Sequence, residues 1–207
     1  MVALFSAMAM AGDKGFSPPP AAHARTYPAC EVRDDEGVSI AIDPYDTPEK
    51  AAIFKVKYRE IGFLPIRLII SNDATKPLML DDLKVEYVTV RRDKLEPATR
   101  DDIYRRIAHP QKVTSKPTVR LPIPTGPGKR PTAISKEALE ELASAQFLTV
   151  PVSPHSTSSG FLFFDVRDIE NPEAGAHIYL AGIRSGTKEL FYFDVPLEKY
   201  LGHTPSK

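Results

Sequence analysis

The sequence predicts a mainly β protein, an antiparallel β-sandwich interrupted by a helical, proline-rich insertion. Three observations lead there. Short segments alternate apolar and polar residues with a period of two, turn-forming residues separate them, and no strand–helix–strand alternation of the kind that builds a parallel sheet occurs. Twenty prolines in 207 residues, nearly twice the usual share of about 5%, disfavour a helical bundle and suit loops and strand edges.

The first elements follow in chain order. "MVALFSAMAMAG" carries an apolar run from Val2 to Met10 and two small-x-small patterns. It reads as the second half of a secretory signal with cleavage near Ala11, although the positively charged leader is missing. Residues 12–28, proline- and alanine-rich without periodicity, are expected to be a tether. The β domain then covers 29–201, and 202–207 is a tail. "GVSIAID" alternates Val38, Ile40 and Ile42; "AIFKVKY" alternates Phe54, Val56 and Tyr58; "FLPIRLIISN" alternates Leu64, Ile66, Leu68 and Ile70; "LKVEYVTVRR" alternates Val85 and Tyr87. Each predicts a strand with one buried and one wet face. Pro65 marks an edge or a bulge, because it has no N–H to give to a ladder.

The insertion at about 97–146 reads differently. Thr99 and Asp102 form a capping pair ahead of Ile103, Tyr104 and Ile107 at helical spacing, and Pro110 ends that helix. Five prolines follow between Gln111 and Ala133. Ser135 caps a second helix whose apolar stripe is expected to be Leu139, Leu142 and Ala143. Strand patterns resume with "FLTVPV", "SGFLFFDVRD", "HIYLAGI" and "ELFYFDVPL". A long insertion of this kind in a compact domain points to function or disorder.

Charge is the clearest local departure. The whole chain has 27 basic and 27 acidic side chains, yet from Ile103 to Lys136 there is no Asp or Glu. Arg105, Arg106, Lys112, Lys116, Arg120, Lys129, Arg130 and Lys136 give that stretch +8 and leave −8 for the rest. The first seven are the expected binding residues, suited to an acidic protein or an anionic envelope component; the alternative is self-association or solubility, with the basic insertion lying across the protein's own acidic sandwich. Nucleic acid is disfavoured, because Tyr104 is the single aromatic side chain in that stretch.

Catalytic motifs fail on spacing. "PHSTSSGFLFFDV" offers His155, Ser156 and Asp165, but a nucleophile elbow needs glycines on both sides of the serine and a following helix. Around Ser158, glycine follows at 160, but position 156 is serine where the first glycine would be, and a strand follows. The hydroxyls are therefore expected to bond backbone groups and start the strand. "TGPGKRPT" lacks the leading glycine and the Ser or Thr of a phosphate-binding loop. One cysteine, Cys30, excludes an intrachain disulfide and a cysteine zinc site. No metal-ligand spacing occurs among the five histidines, so neither metal nor cofactor is expected. No run reaches the roughly 18 apolar residues that span a bilayer.

Three stretches carry a resemblance: "IRLIISNDATKPLMLDD", the hydroxyl-rich lead into "SGFLFFDV", and the terminal "LFYFDVPL". Together they resemble small secreted bacterial proteins with an immunoglobulin-like β-sandwich, many without assigned function. The resemblance spans roughly Ile53 to Leu197 and implies no catalytic residues. The expectation is a non-catalytic extracytoplasmic binding or assembly module, not an enzyme. Two rivals stand beside it. One is an enzyme whose site assembles in space around His155 or His177. The other is a carbohydrate-binding sandwich, which requires exposed aromatics on one face.

Overall fold

The computed structural model describes residues 16–109 and 134–201. Strands β1 (Cys30–Arg33), β2 (Val38–Pro44), β3 (Phe63–Asn72), β4 (Leu78–Met79), β5 (Lys84–Val88) and β6 (Lys94–Leu95) precede the insertion. Strands β7 (Ser156–Asp165), β8 (His177–Ala181), β9 (Arg184–Ser185), β10 (Lys188–Glu189) and β11 (Phe193–Pro196) follow it. Helices are α1 (Pro48–Ala51), α2 (Arg100–Ala108), α3 (Lys136–Ala145) and α4 (Glu198–Leu201). The described residues are mainly β, in antiparallel sheets of order β1-β2-β3-β7, β11-β8-β5-β6 and a small β10-β9-β4.

The alternation explains the main core. Ile40, Ile42, Leu64, Ile66, Leu68 and Ile70 of the first sheet enter one cluster with Val85, Tyr87, Ile178, Leu180, Phe193 and Val195 of the second. The other face of β3 is not wet, however. All ten residues of β3 are buried. Phe63, Phe161 and Phe163 on that face pack with Phe54, Tyr58, Ile103 of α2, and Leu142 and Ala145 of α3. The two described helices of the insertion, α2 and α3, thus pack as a second layer over β3 and β7. Residues 16–28, expected as a tether, also lie on this face from Phe16 onward: Ala24 is fully buried against Ala41 and Ile69.

Two expected strands are corrected. "AIFKVKY" is a turn ending in a 3-10 helix (Tyr58–Ile61), with Phe54 and Tyr58 docked on the aromatic face. Its period-2 apolar residues serve anchoring rather than a ladder, because the Glu141 carboxylate takes the N–H groups of Lys55 and Val56. "FLTVPV" makes isolated bridges at its two ends, from Gln146 to Phe161 and from Val152 to Leu78, and leaves Leu148 and Val150 exposed.

Pro65 sits in a central strand, yet its missing donor falls where β2 has ended. Its carbonyl accepts from Tyr45 N at 2.9 Å, while Phe163 opposite accepts from Ala98 N at 2.7 Å. Both residues turn their backbone groups away from each other, so the β3–β7 ladder loses no bond.

Both helix starts match the expected caps. Thr99 and Asp102 form a reciprocal capping box, and Ser135 accepts from Ala138 N. The buried face of α3 is rotated from the expected stripe: Ala138, Glu141, Leu142 and Ala145 face inward, while Leu139 and Ala143 are exposed. The bonds that Glu141 makes inside require this rotation.

Candidate functional site

The C-terminal end of β7 and the α2 helix enclose a cleft of about 830 Å³ lined by, among others, Phe63, Glu96, Arg105, Arg106, Asp165 and Arg167. The capping box fixes the start of α2, and Ile103 anchors it to the aromatic face. That places Arg106 inward. Its Nη1 donates to the Ile61 carbonyl at 3.1 Å, its Nη2 to Asp165 Oδ2 at 2.9 Å, and its guanidinium lies 5.0 Å from the centre of the Phe63 ring.

Arg167 grips the same carboxylate in a two-point geometry. Nε donates to Oδ1 at 2.8 Å and Nη2 to Oδ2 at 2.7 Å. Its side chain crosses Gly62, whose φ of +89° is left-handed. A Cβ there would stand 2.1 Å from Arg167 Cγ, so glycine serves both the turn and the close approach. Burial opposes ionisation of Asp165, but the hydrogen bonds from Arg167 and Arg106 outweigh it and hold its pKa below the usual carboxylate range. The exposed Asp102 is also lowered, first by the hydrogen bonds from Thr99 and then by Arg105.

Around the cleft Arg105, Arg106 and Arg167 therefore face Glu96, Asp102 and Asp165, three charges against three. Of the expected binding residues, Arg105 pairs with Asp102 at 2.5 Å and Arg106 with Asp165 at 2.9 Å. Lys136 pairs with Glu140 at 3.4 Å. Lys112, Lys116, Arg120, Lys129 and Arg130 lie outside the described residues. The described part of the basic stretch is thus neutralised by the protein's own carboxylates.

The trio His155, Ser156 and Asp165 does not assemble. His155 sits at a turn with φ of +54°, and Ser156 Oγ donates to the Ser153 carbonyl at 2.7 Å. Asp165 closes the other end of β7; at about 3.3 Å per residue, the strand separates the two ends by roughly 30 Å. His177 Nε2 lies 3.7 Å from Asp194 Oδ1 across the β8–β11 pair. Among the described residues no three His, Cys, Asp or Glu side chains gather as a metal site. No described helix is long and apolar enough to cross a membrane.

Arg167 was not among the expected residues, although a signal existed. "Asp-Val-Arg" places residues 165 and 167 two apart, hence on one side of an extended chain. Asp165→Asn is expected to lower stability at neutral pH and to flatten its acid limb. Because the folded pKa is depressed, the stabilisation is fully present above the unfolded value near about pH 4 and is lost as pH falls through the folded one. Urea midpoints across pH 2–7 would check this, and parallel acid limbs for both proteins would refute it.

Comparison with family models, curated proteins and solved structures returned no match.

Proposed function

We propose that this protein is a non-catalytic extracytoplasmic binding or assembly module built as an immunoglobulin-like β-sandwich. The supporting observation is how its polar side chains are used. The hydroxyls of β7 bond neighbouring side chains and backbone, and the ionisable groups of the cleft hold one another in fixed pairs. Groups so engaged are poor nucleophiles and bases, and good cross-braces. The shared core of the two larger sheets supports the sandwich reading.

With Arg105 and Arg106 committed to Asp102 and Asp165, docking of an acidic protein or an anionic envelope component falls to Lys112, Lys116, Arg120, Lys129 and Arg130. Reversing Lys116, Arg120 and Lys129 to glutamate is expected to abolish retention on an anionic envelope-polymer matrix at low salt while leaving the melting temperature unchanged. Unchanged retention would dismiss the docking role.

One observation favours the carbohydrate-binding rival. Tyr192 is half exposed and stacks on Tyr179 at 5.1 Å, and Phe191 beside it is 76% exposed. Loss of binding to a neutral polysaccharide in Tyr192→Ala would select this reading over the first.

A further inference from the structure

Arg67 is out of place in its strand. It stands between Ile66 and Leu68 on β3, is 3% exposed, and makes no ion pair with a carboxylate among the described residues. Its Nη2 donates to Ser159 Oγ at 3.0 Å and to the Pro19 carbonyl. Its Nε is buried without any partner. A guanidinium taken out of water with neutral partners and a free donor is costly to keep. The mixed aromatic and polar surface beside it includes the Phe161 ring, 6.0 Å away.

The surroundings are hydroxyls from the stretch that first suggested a catalytic site. Ser159 and Thr157 of β7 lie opposite Ile69 and Ser71 of β3, and Ser71 Oγ is 2.8 Å from Thr157 Oγ1. Among the described residues, the segment 16–24 covers this polar strip. Phe16 stacks on Phe54 at 5.5 Å, and Ala24 N donates to Ser71 Oγ at 2.9 Å. His23 Nε2 sits 3.0 Å from Asp73 Oδ1. Ser17, Pro20 and Ala22 within the strap are exposed.

We propose that Arg67 and Ser159 form a covered oxyanion site, selective for a carboxylate or phosphate group, with residues 16–24 as its cover. The Pro19 carbonyl stands in for the anionic oxygen. A neutral carbonyl is a weaker acceptor from a guanidinium than a charged oxygen. An entering oxyanion can also engage the free Nε, giving the side-by-side contact that arginine favours. Ser159, which accepts from Arg67, keeps its own proton to donate to the ligand. The site uses none of the basic residues between Ile103 and Lys136 and does not depend on their docking role.

The test is a titration of the full chain followed by the arginine Nε–H resonances. Inorganic phosphate and sodium acetate form separate arms, with potassium chloride at matched ionic strength as control. The Arg67 Nε–H, assigned by its loss in Arg67→Lys, is expected to shift saturably with one of the two anions and not with chloride. Phe16→Ala, which removes the stack holding the cover, is expected to lower the half-saturating concentration several-fold, and Ser159→Ala to raise it. The anion is also expected to raise the melting temperature of the wild-type protein and not that of Arg67→Met. If Arg67→Met does not fold, Ser159→Ala alone decides. A resonance unmoved by both anions in wild type and Phe16→Ala would overturn the proposal. Equal responses in wild type and Ser159→Ala, or an equal melting shift in Arg67→Met, would overturn it too.

Discussion

Replacing Glu141 by alanine is expected to remove about 4 kcal/mol of stability, from the loss of two hydrogen bonds to a charged group at about 1.5–3 kcal/mol each. Glu141 is fully buried on α3, and its carboxylate accepts from Lys55 N and, at 3.2 Å, from Val56 N. Those two bonds hold the turn that carries Phe54 and Tyr58 against Phe161 and Phe163. The Tyr58 hydroxyl shares that burial, which, with the nearby Glu141 charge, pushes its pKa well above the ordinary tyrosine range. Glu141→Gln keeps one acceptor oxygen and is expected to recover about half of the loss, at the usual net worth of about 1 kcal/mol or more per bond. Glu141→Leu fills the space without accepting a bond and is expected to resemble alanine. Urea unfolding of the three variants separates these outcomes. A loss below about 1 kcal/mol for alanine, the size of an average substitution, would show that packing alone holds the turn.

Replacing Gly160 by alanine is expected to be nearly as damaging, for the opposite reason. Gly160 lies in β7 opposite Leu68, and a Cβ there would stand 2.4 Å from Phe147 Cα and 2.8 Å from Phe147 N. The obstacle is backbone, which cannot rotate aside as a side chain could. Phe147 N donates to the Phe161 carbonyl at 2.9 Å, so the crossing chain also covers the open edge of β7. Pushing it away loses that bond and forces a shift in α3. The cost is placed at about 3 kcal/mol, the upper end of ordinary overpacking, or roughly 6–12 °C in melting temperature for a chain of this size. A melting temperature within about 2 °C of wild type, less than 1 kcal/mol, would mean that the crossing segment moves freely.

These two residues show where reading from sequence stopped. In "SKEALEELASAQ" the polar pattern points Glu141 outward and Leu139 inward, yet the structure has the reverse. Helical periodicity ranks residues by hydrophobicity and has no means of registering two unpaired N–H groups some 85 positions earlier in the chain. Gly160 was legible as the glycine of a strand entry but not as a crossing point, because the chain that crosses it comes from the far end of the insertion. Arg67 offered a signal in "FLPIRLIISN", a charge inside an otherwise apolar run that period-2 alternation assigns to the wet face. The cover over that face comes from residues 16–24, which have no periodicity to announce it. Asp165 and Arg167 could have been paired from their spacing alone; Arg106 could not.

The sequence by itself determined the β-rich antiparallel character, the strands β2, β3, β5, β7, β8 and β11, the two capped helices, and, among the hydroxyls before "GFLFFDV", the backbone bond of Ser156. All of these rest on local physics: side-chain alternation, capping hydrogen bonds and turn preferences act within a few residues. Only the tertiary structure decided that β3 has no wet face, that Arg105 and Arg106 are neutralised, and that Arg67 lies beneath the segment 16–24. Those outcomes depend on which distant segment covers which surface, and burial and charge pairing set this between residues that the sequence holds far apart.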